Sequence, residues 1–230
     1  MIDRFDHEYQ KTVLGASQVP AALGLDPYCP PILLWQRYKG LETWPAQNEA
    51  MSWGHRLEPV IAEHAAKRLG VEITKGETLQ HQRIPWLVAT PDYYAYTNWR
   101  ADNIADRIIS LLECKTIGAV TYSHVVKQRW GDDNTDEVPL YVMAQVQTQM
   151  LVVRACGIDV SSTTVAAWIA GDEPRLYTIQ YDEEAAQSIV RKALSFWRCV
   201  QENTAPPPDA SDAYHEYLTR RFPASTERAI

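Results

Sequence analysis

Three charged residues near the middle of the chain have the types and the spacing of a catalytic site. Asp92 follows a short apolar run, and Glu113 and Lys115 stand two residues apart at the end of a second apolar run. Residues two apart on a strand point to the same face, so these two side chains should project together. Charges on a buried strand are costly unless they are paired or bound to a metal. Two carboxylates beside a lysine suit metal-dependent cleavage of a phosphodiester.

Each candidate residue also has an ordinary structural explanation. Asp92 could form a turn, and Glu58 could lie on the solvent face of a helix. Gln145 and Gln149 could be solvated helix positions, and Ser17 has the residue type of a helix N-cap. The Asp…Glu-x-Lys spacing alone is a weak signal, so the surrounding elements must support it.

The elements that position these residues can be predicted from hydrophobic periodicity and boundary signals. Predicted helices cover residues 17–24, 30–39, 48–69, 117–127, 139–156, 182–203 and 211–221. Predicted strands cover residues 71–75, 77–82, 86–92, 93–98, 107–116, 162–171 and 175–181. This order predicts an α/β (α+β) fold in which helices pack on a central mixed β-sheet. We expect one domain over residues 1–230, with a core of about 10–205 and a tail over 206–230.

Three local features refine this prediction. Pro59 lies inside the helix over residues 48–69 and should kink or split it. The strands over residues 71–75 and 77–82 should be joined near Gly76. The inner face of the long helix should be marked by Trp53, Leu57, Val60 or Ile61, His64 or Ala65, and Leu69.

The composition limits the possible classes of protein. The length of 230 residues and 46% hydrophobic content are typical of a globular protein with a sizeable core. The chain starts without a signal-peptide pattern, and no window is long and apolar enough to span a membrane. Four scattered cysteines indicate reduced thiols in a cytosolic protein. The net charge of −7 is mild evidence against DNA binding, although a local basic groove could coexist with it.

The chain resembles the PD-(D/E)xK nuclease superfamily and, within it, the lambda-exonuclease/YqaJ-type alkaline exonucleases of phage recombination systems. The resemblance extends over most of residues 10–205. The last of five matches is the most specific, because Gln145-x-Gln147 after a proline and a tyrosine separates this family from restriction enzymes. In the order of the family, the matches are LGASQVPAALGLDPY with LLWQRYKG, WGHRLEPVIAEHAA, ATPD, LLECKT and VPLYVMAQVQTQM.

The resemblance implies a role for each matching residue. Lys115 would orient or deprotonate the attacking water, and Gln145 would position that water or the lysine. Two Mg²⁺ ions are implied, with Mn²⁺ as a substitute, and hard ions of this kind bind oxygen ligands. The implied metal ligands are Glu58, Asp92, Glu113 and the backbone carbonyl of Cys114.

The resemblance also implies a site for the 5′-phosphate of the DNA. Ser17 and Thr90 match the hydroxyls that the family places near this phosphate. The type member of the family has an arginine seven residues before the serine, whereas this chain has Gln10 there, with Lys11 beside it. Lys11 could replace the arginine, or recognition of the terminal phosphate could be weaker. Trp130, in a polar loop over residues 128–138, is a separate candidate for stacking on DNA.

The implied function is Mg²⁺-dependent 5′→3′ digestion of one strand of linear double-stranded DNA, which leaves a 3′ overhang. The implied partners are DNA ends and a single-strand annealing protein, and the implied assembly is a ring-shaped homotrimer. The implied location is the cytoplasm of a bacterial host, for a protein encoded by a phage or prophage. Two alternatives remain open: an endonuclease or resolvase of the same superfamily, and a non-catalytic DNA-binding module.

Overall fold

Local sequence signals set most element boundaries in the computed structural model, which describes residues 9, 11–46, 48–96, 108–118 and 130–223. Within these ranges, the helices are α1 (Val19–Ala22), α2 (Pro31–Tyr38), α3 (Glu49–Leu69), α4 (Leu140–Ala155), α5 (Glu183–Gln201) and α6 (Asp212–Arg221). The strands are β1 (Leu14–Gly15), β2 (Glu72–Lys75), β3 (Leu79–Gln80), β4 (Leu87–Ala89), β5 (Tyr93–Tyr96), β6 (Ile108–Ile117), β7 (Ser162–Ile169) and β8 (Arg175–Gln180). The predicted mixed α/β fold is confirmed.

The long helices begin and end where their capping residues predict. The Asn48 side chain accepts a hydrogen bond from the amide of Met51 at 2.8 Å and starts α3. Asp182 starts α5 in the same way. Gly70 ends α3 with a φ of 66°, a conformation that glycine adopts without steric cost. Pro59 does not split α3, which runs without interruption through it.

The strands form two sheets. A five-stranded sheet has the order β2-β5-β6-β7-β8, and a three-stranded sheet has the order β1-β4-β3. The two strands joined near Gly76 belong to different sheets, because β2 pairs with β5 and β3 pairs with β4. The chain changes sheet at Gly76, whose amide donates to the carbonyl of Asp92 at 2.9 Å. The chain also changes sheet at residues 90–92, between β4 and β5.

Strand β6 lies between two helices, and its alternating residues pack against different ones. Leu111 belongs to a buried cluster with Val146 and Met150 of α4. Leu112 belongs to a cluster with Ile61 of α3. Odd-numbered residues of this part of β6 therefore face α4, and even-numbered residues face α3.

Helix α3 buries part of its predicted apolar stripe. Ile61 and Ala65 are buried, and Leu57 packs against their cluster. Trp53 is 50% exposed and Val60 is 59% exposed, so the first turns of the stripe face solvent. Ala62 and Ala66 are also buried, and these small side chains allow the helix to approach the sheet closely.

Helix α4 is buried on nearly all sides. It contacts β4 and α5 as well as the five-stranded sheet, so even its polar residues lie inside the protein. Gln145 is 7% exposed and Gln149 is 2% exposed, so the alternative that they are solvated is wrong. Two buried glutamines on one helix require hydrogen-bond partners inside the protein.

Some predictions fall outside the described ranges. The predicted helix over residues 117–127 lies there except for its first two residues, of which Ile117 belongs to β6. The predicted loop over residues 128–138 is described from residue 130, where the chain is irregular. In the ranges that the structure describes, no helix combines the length and hydropathy needed to cross a membrane.

Candidate active site

The carboxylate of Glu113 is held by three side chains in the interior. Its Oε1 atom accepts hydrogen bonds from Lys115 Nζ at 2.8 Å and from Gln145 Nε2 at 2.6 Å. Its Oε2 atom accepts a hydrogen bond from Gln149 Nε2 at 2.7 Å. Glu113 is 4% exposed, so these bonds compensate for the removal of its charge from water.

The geometry of one strand and one helix explains this network. Glu113 and Lys115 lie two apart on the face of β6 that points to α4. Gln145 and Gln149 lie four apart on α4, so they occupy one face of that helix one turn apart. Gln145 also accepts a hydrogen bond from Lys115 at 2.8 Å, which fixes the orientation of its amide. Sequence reasoning did not assign Gln149 to the site, although its spacing from Gln145 was the available signal.

Asp92 joins the cluster from the turn between β4 and β5. Its Oδ2 atom accepts a hydrogen bond from the backbone amide of Cys114 at 2.9 Å. Burial and the charges of Glu113 and Glu58 raise the pKa of Asp92 to about 7, although the Cys114 amide and Lys115 act in the opposite direction. Asp92 is therefore close enough to the other two predicted acids to be repelled by both. The Cys114 carbonyl remains a proposed ligand.

Glu58 approaches the cluster from α3, on the other side of β6 from α4. Its carboxylate forms an ion pair with Lys75, the last residue of β2. The ammonium of Lys75 also lies 4.4 Å from the ring centroid of Tyr93, the residue after Asp92. The motif of Asp92, Glu113 and Lys115 did not include Lys75.

Lys115 keeps its proton in this arrangement. Burial alone would lower the pKa of Lys115, but the charge and hydrogen bond of Glu113 outweigh it, so the pKa is raised. The ammonium is therefore held as a donor between Glu113 and Gln145.

The carboxylates of Glu58, Asp92 and Glu113 are chemically suitable ligands for a divalent ion. Their side chains are not arranged around a common point where an ion could bind. In the described part of the chain, no three His, Cys, Asp or Glu side chains converge as metal ligands. Each acid has a partner instead: Lys75 for Glu58, the Cys114 amide for Asp92, and three side chains for Glu113. Carboxylate oxygens are hard ligands that suit Mg²⁺, and the repulsion among the acids would be relieved by a cation.

Ser17 and Thr90 leave the three-stranded sheet at the same end. Strands β1 and β4 are parallel, with Gly15 opposite Val88, and each hydroxyl residue follows two positions later. The Thr90 hydroxyl shares a 2.9 Å hydrogen bond with the hydroxyl of Thr78. This end leads through Pro91 to Asp92, so both hydroxyls lie on the side of the sheet that carries the acid.

Two sequence predictions about the candidate phosphate site change in detail. Ser17 is not the N-cap of α1, because Gln18 occupies that position and no side chain caps the helix. Ser17 is exposed, and the four-residue helix after it provides no phosphate site of its own. Lys11 is exposed in a turn, and Gln10 lies outside the described residues.

The prediction that Trp130 stacks on DNA is wrong. Trp130 is 5% exposed and belongs to the buried cluster between α4 and the sheet. Its ring centroid lies 5.1 Å from that of Tyr177, whose hydroxyl donates to the carbonyl of Gly131 at 2.9 Å. The tryptophan anchors the polar loop to the core and has no free face for a base.

A cavity of about 580 Å³ lies elsewhere, where the end of α4 meets the start of α5 and the turn after β3. None of the predicted site residues lines it. Its wall includes His81, Arg83, Leu151, Arg154, Tyr181 and Arg191. The candidate active site is therefore identified by its buried, hydrogen-bonded charged side chains, and it does not coincide with this cavity.

Solved structures of two proteins share this fold. An alkaline exonuclease (LHK-Exo) from Laribacter hongkongensis has a TM-score of 0.60 at 17% identity, over 94% of this chain and 95% of that chain. The structure of LHK-Exo in complex with dAMP has a TM-score of 0.60 at 18% identity, over 93% and 94%. A phage related exonuclease from Haemophilus somnus 129PT has a TM-score of 0.54 at 10% identity, over 83% and 94%. At these identities the likeness shows the fold.

The family assignment rests on the sequence itself. No curated protein matches the chain. The YqaJ-like viral recombinase domain matches residues 7–166, which is more than half of the chain. The matched range includes Asp92, Glu113, Lys115 and Gln145, and it confirms the resemblance that these residues indicated. The chain belongs to the YqaJ-like viral recombinase family, and its fold is shared with the alkaline exonuclease LHK-Exo.

Proposed function

We propose that the protein is a Mg²⁺-dependent 5′→3′ exonuclease that digests one strand of linear double-stranded DNA and leaves a 3′ overhang. The observation that carries this proposal is the buried network of Glu113, Lys115 and Gln145 beside Asp92. A buried acid, lysine and amide in one network are costly to assemble, and such perturbed groups cluster at functional sites. Family membership and the exonuclease fold support the same conclusion.

Asp92, Glu113 and Glu58 would hold the divalent ions, with the Cys114 carbonyl as a further oxygen ligand. A bound Mg²⁺ or Mn²⁺ would supply positive charge to the attacking and leaving oxygens of a phosphodiester. These residues fit the role because they provide oxygen ligands and because the charges of Glu113 and Glu58 both act on Asp92.

The protein side chains around the acids have distinct roles in the proposal. Lys115 holds a water with its ammonium or exchanges a proton with it. Gln145 keeps the Lys115 ammonium in place through its Oε1 atom and restrains Glu113 through its Nε2 atom. Gln149 restrains the other carboxylate oxygen of Glu113, so the acid cannot rotate freely.

Ser17 and Thr90 are proposed to bind the 5′-phosphate of the DNA end, with Lys11 nearby as the cation. Their shared position after parallel strands supports this proposal. Linear duplex with 5′-phosphate ends should be digested faster than duplex with 5′-hydroxyl ends, and Ser17→Ala should reduce the difference. Equal rates on the two substrates would contradict the phosphate site without affecting the metal site.

The proposed assembly is a ring-shaped homotrimer that works with a single-strand annealing protein in the bacterial cytoplasm. A ring helps to reconcile the net charge of −7 with DNA binding, because only the channel needs to be basic. Mass measurement in solution tests the trimer, and affinity capture with a purified phage single-strand annealing protein tests the partner.

The nuclease activity is tested on linear and covalently closed duplex DNA with Mg²⁺. The wild-type protein should digest only the linear form, whereas Lys115→Ala and Glu113→Ala should lose digestion while retaining a cooperative unfolding transition. Matched controls are Lys192→Ala and Glu184→Ala, which remove exposed charges from α5 and should keep full activity. Cleavage of closed circles would favour the endonuclease alternative. DNA binding without digestion by the wild-type protein would favour the non-catalytic alternative.

A further inference from the structure

We propose that Lys75 is a tethered cation that competes with the divalent ion for Glu58 and, once displaced, binds a phosphate of the DNA. This inference rests on the proposed metal-dependent nuclease function. Lys75 is the last residue of β2, at the edge of the five-stranded sheet. It lies outside the Asp…Glu-x-Lys motif.

The position of Lys75 places it at the border of the acidic cluster. Lys75 is opposite Tyr93 in the antiparallel pairing of β2 and β5, so both side chains project to the same face. Its ammonium pairs with Glu58 and lies 4.4 Å from the Tyr93 ring centroid. Lys75 therefore contacts one proposed metal ligand, Glu58, directly. It also lies beside Tyr93, the neighbour in sequence of a second proposed ligand, Asp92.

The two partners of this ion pair differ in their access to water. The Lys75 side chain is 50% exposed, whereas the Glu58 side chain is 16% exposed. Lysine can move into solvent at low cost because its charge remains hydrated, and an ion pair with so exposed a partner is weak. Glu58 cannot follow, so its carboxylate stays at the cluster and needs another cation.

Lys115 cannot play this part, because it is bound on two sides inside the protein. It donates to Glu113 and to Gln145, both at 2.8 Å. Its side chain is 23% exposed, about half the value for Lys75. The two lysines therefore have different positions relative to the acids: one is fixed in the interior and the other is free to leave.

The formal charges indicate where the displaced lysine would bind. Glu58, Asp92 and Glu113 contribute −3, and Lys75 with Lys115 contributes +2, so the group carries −1. Each divalent ion adds +2, so the loaded group has a net positive charge, which would attract a phosphodiester with its single negative charge. A flexible lysine at the rim of such a site suits an electrostatic contact with a phosphate.

The test combines a binding measurement with a kinetic one. The variant Lys75→Met keeps the alkyl chain and removes the charge. The control is Lys192→Met, at an exposed position of α5.

Without DNA, the melting temperature of each protein is measured at increasing Mg²⁺ concentrations, so this readout does not depend on activity. We expect the dissociation constant for Mg²⁺ fitted from this titration to be about fivefold lower in Lys75→Met than in the wild type, which equals about 1 kcal/mol. At saturating Mg²⁺, the KM for DNA should rise about tenfold and kcat should change less.

Each outcome decides one part of the proposal. An unchanged or higher dissociation constant for Mg²⁺ would show that Lys75 does not compete for Glu58. A lower dissociation constant for Mg²⁺ with an unchanged KM for DNA would overturn the phosphate contact. No Mg²⁺-dependent rise in the melting temperature of the wild type would overturn the metal site itself, whereas digestion by Lys115→Ala would overturn the nuclease assignment separately. If Lys75→Met fails to fold, Lys75→Gln is measured in its place with the same expected directions.

Discussion

Gln149 donates a hydrogen bond of 2.7 Å to Glu113 Oε2, across 36 residues of sequence. Gln145, one helical turn earlier, donates to the other oxygen of the same carboxylate. Both carboxylate oxygens of Glu113 therefore accept hydrogen bonds from one face of α4. Partners that orient metal-binding groups in this way influence both metal affinity and activity.

Replacement of Gln149 by leucine should lower both stability and activity. The change leaves a buried carboxylate oxygen without its donor, which costs about 1–3 kcal/mol in the free energy of unfolding. Activity should fall roughly 10- to 100-fold, the typical effect of losing a partner of a metal ligand. Urea unfolding and digestion of linear duplex measure the two effects. The control Gln187→Leu, at an exposed position of α5, should change neither by much. Full activity in Gln149→Leu would contradict the role of Gln149 in positioning Glu113.

Replacement of Asp92 by asparagine should stabilise the protein in EDTA at neutral pH and above. The pKa of Asp92 is raised from 3.8 to about 7 on folding. The stability that this group contributes is complete below about pH 4 and is lost as the pH rises to about 7. Asparagine stays neutral, and its side-chain oxygen can still accept from Cys114. Melting temperatures in EDTA should show a larger advantage for Asp92→Asn at pH 8 than at pH 4. An advantage independent of pH would argue against the raised pKa.

Replacement of Gly76 by alanine should displace Asp92 indirectly, although Gly76 is not a site residue. A Cβ atom at Gly76 would lie 2.0 Å from the carbonyl oxygen of Pro91, which precedes Asp92. The resulting shift of the backbone should cost about 1–3 kcal/mol of stability and reduce the nuclease rate. Gly54→Ala is the matched control, because nothing lies within 4 Å of the added atom. In a helix, that control should be neutral or stabilising by up to about 1 kcal/mol. Equal behaviour of the two variants in thermal unfolding would refute the close approach.

Replacement of Trp130 by alanine should act on folding and not on DNA contact. A buried tryptophan removed from a packed cluster costs about 3–5 kcal/mol. Trp53→Ala provides the comparison, because Trp53 is 50% exposed and should contribute much less to stability. Denaturant unfolding and DNA affinity at a temperature where both variants are folded separate the two effects. Normal stability with weakened DNA binding in Trp130→Ala would restore the stacking role.

The sequence predicted those parts of the fold that depend on neighbouring residues. Asn48 and Asp182 start their helices because a cap needs only the amide three residues later. Gly70 ends α3 because its own φ is positive. The common orientation of Glu113 and Lys115 follows from the two-residue period of a strand. These features need no contact with distant parts of the chain.

Other predictions failed because burial depends on what packs against an element. The spacing of apolar residues placed Trp53 on the inner face of α3, but the sheet meets this helix along its alanines. The loop composition around Trp130 suggested exposure, but Tyr177 on β8 covers the ring. In both cases the deciding neighbour is more than forty residues away in sequence, so no local pattern could show it.

The sequence by itself determined the family and the chemical types of the central residues Asp92, Glu113, Lys115 and Gln145, because these depend on residue identity and short spacing. Only the tertiary structure decided how the charges are balanced. Gln149 donates to Glu113 because α4 packs on one face of the five-stranded sheet, and Lys75 pairs with Glu58 because α3, on the other face, brings Glu58 to the edge strand β2. Electrostatic interactions depend on distance in space, which the order of residues along the chain does not specify.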